Sequence, residues 1–211
     1  GDGEAEMTGG VPPAEIAIVV RLVRTLLRDK RPDLADLPLS PVGEGWDNVT
    51  FRIGADDAMR LPRRQAAAAL VENEQAWLPL LADRLPMATP VPKFVGRPGS
   101  VFPWPWSIVS YLPGRTVDLE PLASRHARPF AEFLRALHEP APASAPKNHV
   151  RGVPLRLRAD KFEERFCRLS SRVIEHSADL HGLWKLALAA PETTESCWLH
   201  GDLHANNILV D

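Results

Sequence analysis

The chain has 211 residues, 45% hydrophobic and 25% charged, which excludes a wholly disordered protein and allows one large core or two small ones. A formal net charge of -2 without a long basic cluster argues against nucleic acid or an anionic membrane as partner. Cys167 and Cys197 stand far apart with no CxxC or Cys/His grouping, which gives little support to a disulfide framework or a structural zinc; they read as buried, reduced thiols of a cytoplasmic protein.

The opening "GDGEAEMTGG" lacks the basic start and apolar middle of a signal peptide, and residues 1–10 read as a flexible extension. No apolar run approaches the roughly 20 residues of a membrane-spanning helix. From Pro13 to Asp29, Ile16, Val19, Val20, Val23, Leu26 and Leu27 recur at helical spacing. Two β-prone runs, Val49 to Ile53 and Ala58 to Leu61, flank the turn-forming "GADD" and follow a loop containing Gly43 and Gly45. Gln65 to Leu85 is helical again, with Leu70, Trp77, Leu78, Leu81 and Leu85 as its apolar stripe and Pro79 as a bend or a second start. "TPVPKFVGRPG" and "WSIVSYLPG" read as two more strands. The second half is mainly helical: "LEPLASRHARPFAEFLRALHE", then weaker helices near Asp160 to His176 and Asp179 to Ala190, then a strand Ile208 to Val210. The expected class is α+β in two lobes, with a small mixed lobe over 11–112 and a helical lobe over 113–211.

The last stretch, "WLHGDLHANNILVD", concentrates polar groups directly before an apolar run. Asp202 can accept a hydroxyl proton, and Asn207, five residues on, offers a neutral oxygen suited to magnesium beside phosphate. Together they point to phosphoryl transfer. His200, Asp202, Leu203 and Asn207 fill the spacing of the protein-kinase loop H-R-D-L-x-x-x-N, with Gly201 in place of Arg.

"LHGDLHANNILVD" resembles the HGDxHxxNIL loop of the aminoglycoside phosphotransferase and choline kinase-like family. "GEGWDNVTFRIG", "RLPRR", "ENEQAWLPLLADRLP", "VPKFVGRPG", "WPWSIVSYLPG" and "FLRALH" resemble the family's other landmarks in the same order, from about Leu39 to Asp211. The resemblance implies a two-lobe protein-kinase-like fold with a nucleotide-binding first lobe. It also implies ATP or GTP with magnesium as cofactors, and a small-molecule hydroxyl as acceptor, cationic aminoglycosides among the candidates. Asp202 would be the base, Asn207 a magnesium ligand, His200 a support for the loop and His204 a weaker candidate for either loop or substrate contact. A second metal-binding Asp is implied after the loop, and the sequence stops at Asp211, before such a segment. Three readings stay open: the front portion of a small-molecule kinase, a non-catalytic nucleotide-binding relative, or an unrelated α+β binding protein.

Upstream, Arg60 in "AMRLPRR" matches the lysine that holds the α- and β-phosphates, with Arg63 or Arg64 doing that work instead or lying on the surface. The resemblance gives Arg60 a glutamate partner on the next helix. Glu72 and Glu74 sit about 200° apart there, so only one faces the cleft; Glu74 fits better and Glu72 reads as solvated. Gly43 and Gly45 would bring backbone N–H groups to phosphate. Ser110, Tyr111 and Leu112 match the hinge facing adenine, Tyr111 equally a core aromatic. Trp104 and Trp106 read as packing residues. Asp160, Glu163 and Glu164 would attract a cationic acceptor or form a solvated helix face.

Overall fold

A computed structural model describes residues 13–148, 151–170, 177–192 and 195–210. The expected extension at 1–10, the end of the first weak helix at 171–176 and Asp211 lie outside the described residues. Two compact units are present, one formed by 1–136 with 205–211 and the other by 137–204.

The first unit is built on a five-stranded antiparallel sheet. Its strands are β1 (Leu39–Glu44), β2 (Asn48–Ile53), β3 (Asp57–Pro62), β4 (Pro92–Gly96) and β5 (Trp106–Ser110), in the order β1-β2-β3-β5-β4. Proline removes a ladder donor and is tolerated at sheet edges. Pro41 and Pro92 accordingly fall on the edge strands β1 and β4, each beside a register shift. The register puts Phe51 opposite Met59 and Met59 opposite Ile108, so these three side chains share one face, and all are buried.

Helix α1 (Val20–Lys30) covers that face with Val23, Leu26 and Leu27. The periodicity that predicts a helix from Pro13 overshoots by seven residues. The segment before Val20 is tied to another element instead: the Glu15 N–H donates to the Arg63 carbonyl (2.9 Å), and its carboxylate accepts the Gln65 N–H (3.3 Å). Helix α2 (Gln65–Ala82) runs on through Pro79 as one element. Its buried side is Ala67, Ala68, Val71 and Leu81, and Leu70, expected in the stripe, is 43% exposed. Small residues let this helix approach the sheet closely; bulk at position 70 is not needed there.

Trp106 and Trp104 are core residues, 1% and 5% exposed. Trp106 packs on Phe94 at 5.3 Å between ring centroids, and the Trp104 indole N–H donates to the Gln65 amide oxygen at 2.5 Å.

After the sheet come β6 (Arg115–Thr116), α3 (Ala127–Leu137) and, at the end of the chain, β7 (Leu209–Val210), which pairs antiparallel with β6. β6 is too short for any sequence pattern to reveal. Its approach depends on Gly114, whose φ is +126° and where a Cβ would stand 2.7 Å from the Val210 carbonyl oxygen. Gly114→Ala is expected to cost about 1–3 kcal/mol through strain and clash. A chemical denaturation curve with an unshifted midpoint would contradict it.

The second unit contains α4 (Ala159–Ser170) and α5 (Ser177–Ala189), with the chain segment around Pro140 bridged to Cys197. Phe162 stacks on Trp184 at 4.0 Å and His181 meets the Glu163 carboxylate at 3.1 Å. Glu164 pairs with Arg168 one turn on, at 2.9 Å, so both glutamates on this helix have local partners. Cys167 and Cys197 are exposed rather than buried as expected. Among the described residues no helix is long and apolar enough to cross a membrane.

Candidate functional site

The polar face of the sheet is set by the same register as the core. Thr50 stands opposite Arg60, and Arg60 opposite Ser107, so the three central strands present these residues on the side away from Met59. A guanidinium at the centre of a sheet needs an acceptor. Glu74 of α2 supplies it: Arg60 Nη1 donates to Oε2 at 2.8 Å and Nη2 to Oε1 at 3.4 Å, a forked arrangement specific to arginine. Glu72, two residues earlier, is exposed. The neighbouring Gln75 fixes the helix on the sheet, donating to the Trp106 carbonyl (2.8 Å) and the Ser107 hydroxyl (3.0 Å).

Gly43 is part of strand β1 and Gly45 opens the turn to β2. The Gly45 N–H closes that turn on the Asn48 carbonyl at 2.8 Å. Arg63 and Arg64 do not decorate the surface. The Arg63 guanidinium is buried, donates to the Gly45 carbonyl (3.1 Å) and pairs with Glu44 (2.5 Å), while Arg64 pairs with Asp47 (2.7 Å). The sequence contains no signal for this, because alternation along a strand says nothing about what a cation just past its end will meet.

Ser110 closes β5, and Tyr111 and Leu112 follow it, all three part-buried. The Tyr111 N–H donates to the Asp56 carbonyl (2.9 Å), and the Arg52 guanidinium lies over its ring at 4.3 Å. Tyr111 is thus a supported aromatic at the strand end and not a core residue.

The polar loop straddles the boundary between the two units, which falls between His204 and Ala205. In the second unit, Gly201 has a φ of +77°, a conformation glycine adopts without cost, and this accounts for glycine where the protein-kinase loop has arginine. The Asp202 N–H donates to His200 Nδ1 (3.3 Å), which ties the His200 ring to the backbone of its own loop. The Asp202 carboxylate is 3.5 Å from His204 Nε2 and is contacted by Arg151, which also reaches the Gly201 carbonyl. Arg151 lies in a stretch that reads only as a proline-rich loop, with nothing in its sequence context to mark it. In the first unit, Asn207 ends a short 3-10 turn, Ala205–Asn207, that leads to β7; the Val117 N–H holds this turn through the carbonyls of Ala205 and Ile208, both at 3.0 Å.

A sheet of this order, with a central cation paired to the following helix and a helical part beyond, defines a two-lobe protein-kinase-like fold. Solved structures agree. A point mutant of aminoglycoside 2'-phosphotransferase-IIIa in complex with GDP is similar with a TM-score of 0.65 at 21% identity, over 90% of this chain and 66% of that one. The GDP and kanamycin complex of APH(2")-IIIa is similar with a TM-score of 0.64 at 22% identity, over 90% and 67%. Macrolide 2'-phosphotransferase MphH from Brachybacterium faecium, as apoenzyme, has a TM-score of 0.54 at 20% identity, over 90% and 67%. The chain therefore spans about two thirds of the length of these structures. No curated protein matches the sequence significantly. Residues 38–211 match the model of the phosphotransferase enzyme family, and the chain belongs to that family.

Proposed function

We propose that this chain is part of a nucleotide-dependent kinase of small molecules, acting on a hydroxyl group. The observation that carries the proposal is the Arg60–Glu74 pair, a cation held at the centre of the sheet where the family's phosphate contact would stand. In this reading Arg60 binds the α- and β-phosphates of ATP or GTP, and the turn after Gly43 and Gly45 covers them. The backbone of Ser110, Tyr111 and Leu112 meets the base, and the functional lobe boundary near Pro113 lies inside the first compact unit, which runs on to residue 136. Asp202 takes the proton as the acceptor oxygen attacks the γ-phosphorus and the bond to the β-phosphate oxygen breaks. His200 and His204 hold the loop around that carboxylate.

Asn207 fits a magnesium site of a particular kind. Among the described residues no group of three or more His, Cys, Asp or Glu could cage a metal. Magnesium typically takes few protein ligands and completes its shell with phosphate oxygens and water, so an amide at the loop is a consistent donor for an ion arriving with the nucleotide. When bound, magnesium would neutralise charge on the transferring phosphoryl group.

The acceptor is proposed to be a hydroxyl-bearing cation of the aminoglycoside type. A second reading, a nucleotide-binding relative without transfer activity, draws on Arg151, which already engages the Asp202 carboxylate.

Two measurements test the proposal. Magnesium with ATP or GTP should raise the melting temperature of the chain; no shift with either nucleotide would sink both readings. Glu74→Gln, which strips Arg60 of its charged partner, is expected to weaken nucleotide affinity about tenfold, equivalent to the roughly 1.5 kcal/mol of a charge-assisted hydrogen bond. Unchanged affinity in a titration would remove Arg60 and Glu74 from the site. A coupled ATPase assay across aminoglycosides and related alcohols then separates the two readings, since only the first expects acceptor-stimulated turnover.

A further inference from the structure

The turn between β1 and β2 carries two carboxylates, Glu44 and Asp47, at a place where the proposed function puts anionic phosphates. Each is matched by a guanidinium from the end of β3, Glu44 by Arg63 at 2.5 Å and Asp47 by Arg64 at 2.7 Å. Arg63 does more than neutralise. Its side chain is 7% exposed, its Nη1 holds the Gly45 carbonyl at 3.1 Å, and its backbone N–H donates to the Asp47 carbonyl at 2.8 Å. The turn is therefore tied at Glu44, Gly45 and Asp47 to the strand that presents Arg60 three residues earlier. With the Gly45 N–H spent on Asn48, and with no acceptor for the Trp46 or Asp47 N–H among the described residues, the turn has two backbone donors to offer an anion.

We infer that Arg63, assisted by Arg64, is a positioning residue that presets the phosphate-side turn and cancels its negative charge, so that the turn and Arg60 meet the phosphates as one unit. The inference rests on the proposed nucleotide site but concerns residues that would not themselves touch the nucleotide. A short turn from the edge strand β1 to β2 would otherwise exchange among conformations, and an uncovered Glu44 beside a diphosphate would repel it.

The test uses the 211-residue chain as wild type, Arg63→Met, Arg63→Lys and Arg63→Met with Glu44→Gln. Amide hydrogen exchange is followed at Gly45 and Arg63 and, as reference, in the β2–β3 ladder at Phe51 and Met59. Binding of ADP and of adenosine is measured in parallel. Arg63→Met is expected to speed exchange at Gly45 and Arg63 by tenfold or more while Phe51 and Met59 stay protected. It should weaken ADP about tenfold and leave adenosine within twofold. Lysine should restore part of the ADP affinity, and removing the Glu44 charge should restore part of it in the double variant. Unchanged exchange at Gly45 overturns the inference, as does faster exchange throughout the sheet with equal loss of ADP and adenosine, which would make Arg63 a fold residue only. If the wild type binds no nucleotide, the proposed site fails, and the exchange arm alone decides whether Arg63 presets the turn.

Discussion

Asp202→Asn is expected to lower acceptor phosphorylation by about 10²- to 10⁴-fold, the range lost when a positioned general base is removed. The replacement is nearly isosteric: one oxygen remains to accept from Arg151, and the position that faces His204 becomes an amide NH2 able to donate to that ring. It removes the charge and the basicity and little else. Nucleotide affinity should stay within about twofold, because the proposed phosphate contacts belong to β3, α2 and the β1–β2 turn in the first unit, whereas Asp202 belongs to the second. The paired measurement is a titration with nucleotide and a single-turnover assay with the best acceptor found. Transfer at the wild-type rate in Asp202→Asn would remove the residue from the chemistry; loss of nucleotide binding would mean that it serves the nucleotide site and not the acceptor.

How much of this was legible beforehand depends on which physical question a residue answers. Strands β2 and β3 were readable as β-prone runs on either side of the turn-forming "GADD"; β2 alternates cleanly between part-buried and buried residues, whereas β3 is buried at Ala58, Met59, Leu61 and Pro62 with Arg60 between them. The angle between Glu72 and Glu74 left room for only one of them at the sheet, and the family resemblance, not the angle, selected Glu74. The start of α1 was not readable: Ile16 and Val19 keep helical spacing, but Glu15 bonds to Arg63 and Gln65 instead, and such long-range partners leave no trace in local periodicity. The same limit hid Arg63, Arg64 and Arg151. A cation's role is set by the carbonyl or carboxylate it meets, and those lie 17 to 18 residues away for Arg64 and Arg63 and 51 for the contact of Arg151 with Asp202. The exposed cysteines show the converse error, a general tendency to burial applied to residues that the local fold leaves at the surface.

The largest stability effect is expected at a residue with no chemistry at all. Gly96 stands directly across from Trp106 in the β4–β5 ladder, and a Cβ built on it would lie 2.1 Å from the Trp106 indole. The ring covers the glycine as a lid covers a slot. Gly96→Ala must therefore push β4 off the sheet edge or turn Trp106 out of a position where it is 1% exposed and packed on Phe94. The cost is expected to be about 3 kcal/mol or more, at the upper end for overpacking a core. In a domain of this size that lowers the melting temperature by roughly 9 °C. Gly99→Ala, in the same connection but with open space around it, is the control and should change stability by less than about 0.5 kcal/mol. The strain should also reach the proposed nucleotide site. The Trp106 carbonyl and the Ser107 hydroxyl are the two anchors of Gln75, next to Glu74 on α2, so a displaced Trp106 shifts the partner of Arg60. Weakened nucleotide binding in Gly96→Ala below its melting transition, absent in Gly99→Ala, would show that core packing sets the Arg60–Glu74 geometry; equal affinity in both would confine the effect of Gly96 to stability.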